Sequence, residues 1–138
     1  MRAMPDEYSA TTRQIRVVVR AFYLADQSEP DDGRFVWAYR VGIFNEGAET
    51  VKLLKRSWQI TDGLGRTQTV HGEGVVGAQP VLEPGGTFEY TSGTPLPTPS
   101  GFMRGAYHMV VAASGEMFDV TIPAFSLDSP YQPTTRVH

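Results

Sequence analysis

Every second position of residues 34–44 is large and apolar: Phe35, Trp37, Tyr39, Val41 and Ile43 alternate with Arg34, Val36, Ala38, Arg40 and Gly42. Successive strand side chains point to opposite faces, so this run buries one face of a sheet and has no helical stripe to offer. The same period recurs along the chain. Ile15, Val17, Val19, Ala21 and Tyr23 alternate with Arg16, Val18, Arg20 and Phe22. In residues 51–61, Leu54, Trp58 and Ile60 are expected to share a face, with Lys52 and Arg56 in line nearer the start. Phe118, Val120 and Ile122 alternate with Asp119 and Thr121, and residues 104–113 and 117–124 read as a hairpin about Ser114-Gly115. Shorter strands are expected at 66–70, 79–82 and 87–91, separated by Asp32-Gly33, Asn45-Glu46-Gly47, Asp62-Gly63 and Pro84-Gly85-Gly86, which supply turn conformations. Pro95, Pro97 and Pro99 make residues 92–101 an extended connection. The sum is an all-β chain of about seven to eight strands, an antiparallel β-sandwich whose apolar faces meet across two layers.

At 138 residues the chain fits one domain with a core of its own. We read residues 1–12 as a flexible lead-in, 13–127 as the sandwich and 128–138 as a flexible tail, because the two ends mix Pro, Thr and charge without a period. There is no cysteine, which excludes disulfides, thiolate metal sites and a cysteine nucleophile. The net charge is −3, with no run of basic residues, so a general nucleic-acid surface is not expected. Apolar runs such as Met109-Val110-Val111-Ala112-Ala113 are too short to span a bilayer, and the N-terminus lacks an apolar signal core. A cytoplasmic protein without membrane insertion is expected.

One stretch could carry chemistry. Gly72-Glu73-Gly74-Val75-Val76-Gly77 spells G-x-G-x-x-G, the dinucleotide-binding fingerprint, which requires a helix opening at its last glycine. Pro80 and Pro84 follow too closely for that helix. Two readings of the run remain. Its amides could form a nest for a phosphate or pyrophosphate, with Arg56 and Arg66 adding charge; or it is a tight turn or bulge whose glycines supply positive φ. Val75 and Val76 also suit an exposed apolar contact for a protein partner. His71 and His108 could meet in space, and Asp26, Glu29, Asp31 and Asp32 could gather a hard cation, yet no EF-hand or H-E-x-x-H spacing exists. No metal site is therefore assigned; a weak divalent cation or a nucleotide or pyrophosphate is the most that the residues suggest. Ser100-Gly101 reads as a turn, and no serine stands in a G-x-S-x-G elbow, so no catalytic residue is assigned and a non-enzymatic domain is the first expectation; the alternative is a nucleotide or pyrophosphate binder at the Gly72–Gly77 loop that could also hydrolyse its ligand, with Glu73 as a base. Open sandwich edges leave an edge-strand dimer feasible.

Several ordered stretches together resemble the ApaG (CorD) family: Asp26-Gln27-Ser28-Glu29-Pro30, Trp58-Gln59-Ile60-Thr61-Asp62, residues 72–80, Leu82-Glu83-Pro84-Gly85, Thr98-Pro99-Ser100-Gly101 and Ile122-Pro123-Ala124-Phe125. The resemblance spans residues 15–130. It implies an immunoglobulin-like or fibronectin type III-like sandwich in a small bacterial cytoplasmic protein, acting as a non-enzymatic binding domain associated with cobalt tolerance and magnesium efflux. Where the family commonly has Arg-His-Trp this chain has Arg56-Ser57-Trp58, so a metal site resting on that histidine does not carry over. Tyr107, after Gly105-Ala106, resembles the tyrosine corner of immunoglobulin-like domains, whose hydroxyl satisfies an upstream backbone group.

Overall fold

A computed structural model describes residues 6–131. The alternating segments fold into nine strands: β1 (Glu7–Thr12), β2 (Ile15–Tyr23), β3 (Phe35–Asn45), β4 (Val51–Asp62), β5 (Thr67–Glu73), β6 (Val81–Leu82), β7 (Thr87–Leu96), β8 (Gly101–Val111) and β9 (Met117–Leu127). Two antiparallel sheets stack face to face, one in the order β1-β2-β3-β7, the other β5-β4-β8-β9 with β6 beside β4. No α-helix occurs among the described residues; two 3-10 turns, Ala25–Gln27 and Pro30–Asp32, shape the loop before β3. Among the described residues no helix is long and apolar enough to cross a membrane.

The core is the set the period picks out. Ile15, Val17 and Val19 on β2 and Phe35, Trp37, Tyr39, Val41 and Ile43 on β3 face Val51, Leu53 and Trp58 on β4, Tyr107 and Met109 on β8, and Val120 and Ile122 on β9, all buried. At its centre Tyr39, Trp58 and Phe125 meet with ring centroids 5.4–5.9 Å apart, the tilted and edge-on contacts that aromatic quadrupoles favour.

Two bulges break the simple alternation. Pairing of β4 with β8 slips between Leu53 and Lys55, so Leu54 is the extra residue. The inward positions of β4 therefore change from Val51 and Leu53 to Trp58, and Leu54 does not share Trp58's buried face as the sequence suggests. In β9 a slip at Pro123-Ala124 extends the strand and turns Phe125 and Leu127 inward. A proline is tolerated there because a bulge leaves its position out of the ladder.

The ends differ from expectation. Glu7–Thr12 is a strand, not a lead-in, paired with β2 from Glu7↔Arg20 to Thr12↔Ile15. Its polar side chains mask a weak alternation in which Tyr8, Ala10 and Thr12 are the less exposed, and Tyr8 reaches Phe125 with ring centroids 6.2 Å apart. The segment after Leu127 is docked as far as the structure describes it. Trp37 Nε1 donates to the Asp128 carbonyl at 2.8 Å, and Ser129 Oγ donates to the Pro99 carbonyl at 2.7 Å. The expected flexibility of residues 1–5 and 132–138 lies outside the described residues. The proline segment also begins as strand, with Pro95 opposite Val36 at the edge of its sheet, where no neighbour asks for its missing N–H. Tyr107 is not a corner tyrosine: it lies within β8, and its hydroxyl meets that of Tyr90 across the sandwich.

Candidate functional site

The glycine run leaves β5 and folds back as a tight hairpin. Val75 and Ala78 exchange both backbone hydrogen bonds at 2.8 Å. Between them stand Val76 at φ 41° and Gly77 at φ 82°, the two positive angles of a type I′ turn. No helix follows. The hairpin is fastened to the β4 bulge, because the Gly74 amide and Gln79 Nε2 both donate to the Leu54 carbonyl, at 2.8 and 3.0 Å.

Arg56 holds the other side. Its Nη1 donates to the carbonyls of Glu73 at 3.2 Å and Gly74 at 2.8 Å. Gly72 makes room for this, since a Cβ there would stand 2.6 Å from the guanidinium. At Gly74 a Cβ would stand 2.2 Å from the Ala78 carbonyl oxygen, with φ at +64°. The amides of Gly74, Val75 and Ala78 are thus donated within the chain, leaving Val76 and Gly77 as the hairpin amides with no backbone partner among the described residues. Val75 is buried, Val76 is 59% exposed at the tip, and Val81 on β6, opposite Lys52, is also exposed.

Arg66 does not join this loop. It sits at the far end of the β4–β5 hairpin, where its Nε donates to Asp62 Oδ2 at 3.0 Å. Gly72 lies five positions along β5 from Thr67, roughly 17 Å at strand rise. The hairpin between the strands is long and extended, so sequence proximity does not become contact. Asp62 also accepts from the amides of Leu64 and Arg66 at 2.9 and 3.1 Å. Burial pushes the Asp62 carboxyl up, but these amides and the Arg66 guanidinium outweigh it and hold it below the ordinary value.

The charge of Arg56 is also felt by the buried phenols. Burial pushes Tyr39, Tyr90 and Tyr107 up, and the nearby Arg56 charge offsets part of that in each.

The two histidines do meet, through a serine that no motif marks. Beyond the Leu54 bulge Trp58 points inward and Ser57 outward. Ser57 Oγ lies 3.0 Å from His71 Nδ1 on β5 and 2.7 Å from His108 Nε2 on β8, and His108 Nδ1 lies 2.8 Å from Asp119 Oδ1 on β9. A row of side-chain hydrogen bonds therefore crosses the outer face over four strands, beside a depression of about 390 Å³ that Lys55, Gly72 and Glu73 also line. Glu73 stands on its rim as the pair of Lys55.

Part of this row was open to counting. Seven residues either way from Leu64, the middle of Gly63-Leu64-Gly65, are Ser57 and His71, which the structure pairs. His108 and Asp119 are likewise paired across the hairpin at Ser114-Gly115. The acidic loop goes elsewhere. Asp26, Asp31 and Asp32 lie in the 3-10 turns, which Ser28 ties down by donating to the Leu24 carbonyl and accepting from the Val36 amide. Among the described residues no three His, Asp or Glu side chains gather as metal ligands.

A nine-strand, two-sheet antiparallel sandwich with a bulge-anchored glycine hairpin is of the immunoglobulin-like, fibronectin type III-like class. The C-terminal domain of wzt superposes on the chain with a TM-score of 0.52 at 11% identity, over 91% of this chain and 78% of its own, a likeness of fold alone. The family profile of the ApaG domain matches residues 25–111. Protein ApaG of Rhodospirillum centenum is 68% identical over 124 residues, 90% of this chain and 95% of that protein. Protein ApaG of Paramagnetospirillum magneticum is 63% identical, over 91% and 95% respectively. A crystal structure of a Bordetella pertussis protein has a TM-score of 0.81 at 47% identity, covering 93% of this chain and 100% of that one. The chain belongs to the ApaG family.

Proposed function

We propose that this chain is a binding domain that docks a protein partner through the tip of the Gly72 to Gly77 hairpin and the neighbouring edge at β6. The observation that carries the reading is Val76. A β-branched residue at φ 41° is held in a conformation that glycine or asparagine adopts with far less strain, and here it is 59% exposed, so the fold gains little burial in return. An apolar knob kept at a strained turn is accounted for by contact with something outside the chain. The hairpin behind it is rigid, fixed by Leu54 and Arg56, as suits a surface that need not reorder on binding. A cytoplasmic location belongs to the same reading and is supported by the cysteine-free composition; a role in cobalt tolerance and magnesium efflux, implied by the family resemblance, would act through that partner.

The test is comparative capture. Immobilised wild-type and Val76→Asn proteins are exposed to the same bacterial extract, and the retained proteins are identified by mass spectrometry. A partner held by the wild type and lost by the variant supports the reading; identical sets remove it. A nucleotide or pyrophosphate reading draws on the amides of Val76 and Gly77, which have no backbone partner among the described residues. Millimolar ATP or pyrophosphate should then shift the amide resonances of residues 71–79, and unmoved resonances would end it.

A further inference from the structure

The row His71–Ser57–His108–Asp119 links four side chains, each within 3.0 Å of the next, and one tautomer of His108 turns it into a relay ending on Asp119. An ionised carboxylate only accepts, so His108 presents Nδ1–H to Asp119, and in the neutral imidazole Nε2 is then the acceptor. In that tautomer Ser57 donates its hydroxyl proton to His108 Nε2, and His71 Nδ1–H donates to Ser57 Oγ. A hydroxyl aimed at a neutral imidazole whose other nitrogen is held by a carboxylate is the nucleophile, base and orienting group of acyl-transfer catalysis, here assembled from three strands and not from an elbow. The bulge at Leu54 is what presents it, because Ser57 would otherwise share the inward parity of Val51 and Leu53.

We propose that Ser57 is an activated nucleophile for a small carboxylic ester bearing an anionic group, with His108 as its general base and Asp119 as the residue that positions His108. The assignment goes beyond the docking surface and does not depend on it. In the first step Ser57 Oγ bonds to the ester carbonyl carbon while its proton passes to His108 Nε2. The tetrahedral adduct then collapses, the alkoxide leaves with the bonding pair, and it takes the proton back from His108. Water attacks the acyl-Ser57 ester by the same route, giving the carboxylic acid and free Ser57. His71 Nδ1–H, 3.0 Å from Oγ, is the donor beside the developing oxyanion. Lys55, the cross-strand pair of His108 and without an ion pair among the described residues, fits the anionic group.

The first experiment treats the whole protein with a fluorophosphonate, whose phosphorus takes Ser57 Oγ as fluoride departs and the proton moves to His108, and maps the adduct by peptide mass spectrometry. Labelling is expected on Ser57, absent in Ser57→Ala, and slowed about a hundredfold or more in His108→Gln. Asp119→Asn should slow it while leaving the near-ultraviolet circular dichroism of the core unchanged, which separates positioning from folding. Ser114, an exposed turn serine outside the row, is the internal reference. Labelling of Ser57 no faster than Ser114 would overturn the proposal, as would equal labelling in His108→Gln. The second experiment compares hydrolysis of 4-nitrophenyl acetate with that of 4-nitrophenyl hemisuccinate. Lys55→Met should raise KM for the succinyl ester alone, and an unchanged preference would overturn the anionic assignment.

Discussion

Replacing Val76 by asparagine should stabilise the fold while weakening the contact it is proposed to make. Residues with a Cβ lose about 1–2 kcal/mol in the left-handed region, and asparagine recovers part of this through local hydrogen bonding. Val76 stands there at φ 41° and is 59% exposed. Removing the roughly two-fifths of the side chain that is out of water costs about 0.6–1.2 kcal/mol, scaling the full burial of a valine. The balance is a gain of about 0.5 kcal/mol, strengthened by the fit of an Asn-Gly pair to a type I′ turn. Urea denaturation with a shared m-value would read it as a higher midpoint, and thermal unfolding as an increase of about 2 °C for a domain of this size. A loss of 1 kcal/mol or more would refute the reasoning, because it would mean that the turn relies on valine packing and not that it bears strain.

The same hairpin supplies a contrast between its glycines. Gly74→Ala brings a Cβ to 2.2 Å from a backbone oxygen at positive φ and should cost roughly 2–5 kcal/mol, whereas Gly77→Ala meets nothing within 4 Å and should cost about 1 kcal/mol; equal midpoint shifts in denaturant would contradict the packing described. Asp62 predicts an acid limb. Its folded carboxyl lies below the ordinary 3.8, so the stability it lends is present above that value and is lost as pH falls through the lowered one; Asp62→Asn should lack that part of the acid dependence in pH-resolved denaturation. At the alkaline end the buried Tyr90 and Tyr107 phenols are raised above 10.0, so their contribution is full below that value and disappears as pH climbs toward their folded ones. Their ultraviolet ionisation signal should therefore appear together with unfolding, and a reversible phenolate signal in the folded protein would contradict their burial.

The layers of the fold were legible because they rest on period two. Phe35 to Ile43 and Ile15 to Val19 fall on the buried faces that alternation assigns them. What alternation cannot register is a change of phase. Leu54 reads as a core residue in step with Trp58, and only the slipped pairing with β8 shows that the step is taken between them. Glu7–Thr12 was opaque for another reason: an edge strand needs one large apolar contact, Tyr8, and the rest of this one is Glu7, Ala10 and three hydroxyl side chains. The glycine spelling was visible, but not its use. Gly72 makes way for a guanidinium and Gly74 for a carbonyl, neither of which the spelling itself announces.

One residue connects these observations. With Leu54 inserted, its carbonyl is freed from the regular ladder and receives the Gly74 amide and the Gln79 side chain, so the hairpin has an anchor. The same insertion reverses the faces of the residues that follow, sending Trp58 into the aromatic centre and Ser57 out between His71 and His108. A β4 strand without the bulge would have to choose between burying Ser57 and its hydrogen bonds or leaving Trp58 in water, and either choice is unfavourable by several kcal/mol on the order of a buried unpaired hydroxyl or an exposed aromatic. The hairpin that bears Val76 and the row that activates Ser57 are therefore two results of one local irregularity, and a substitution that straightens β4 should disturb both together.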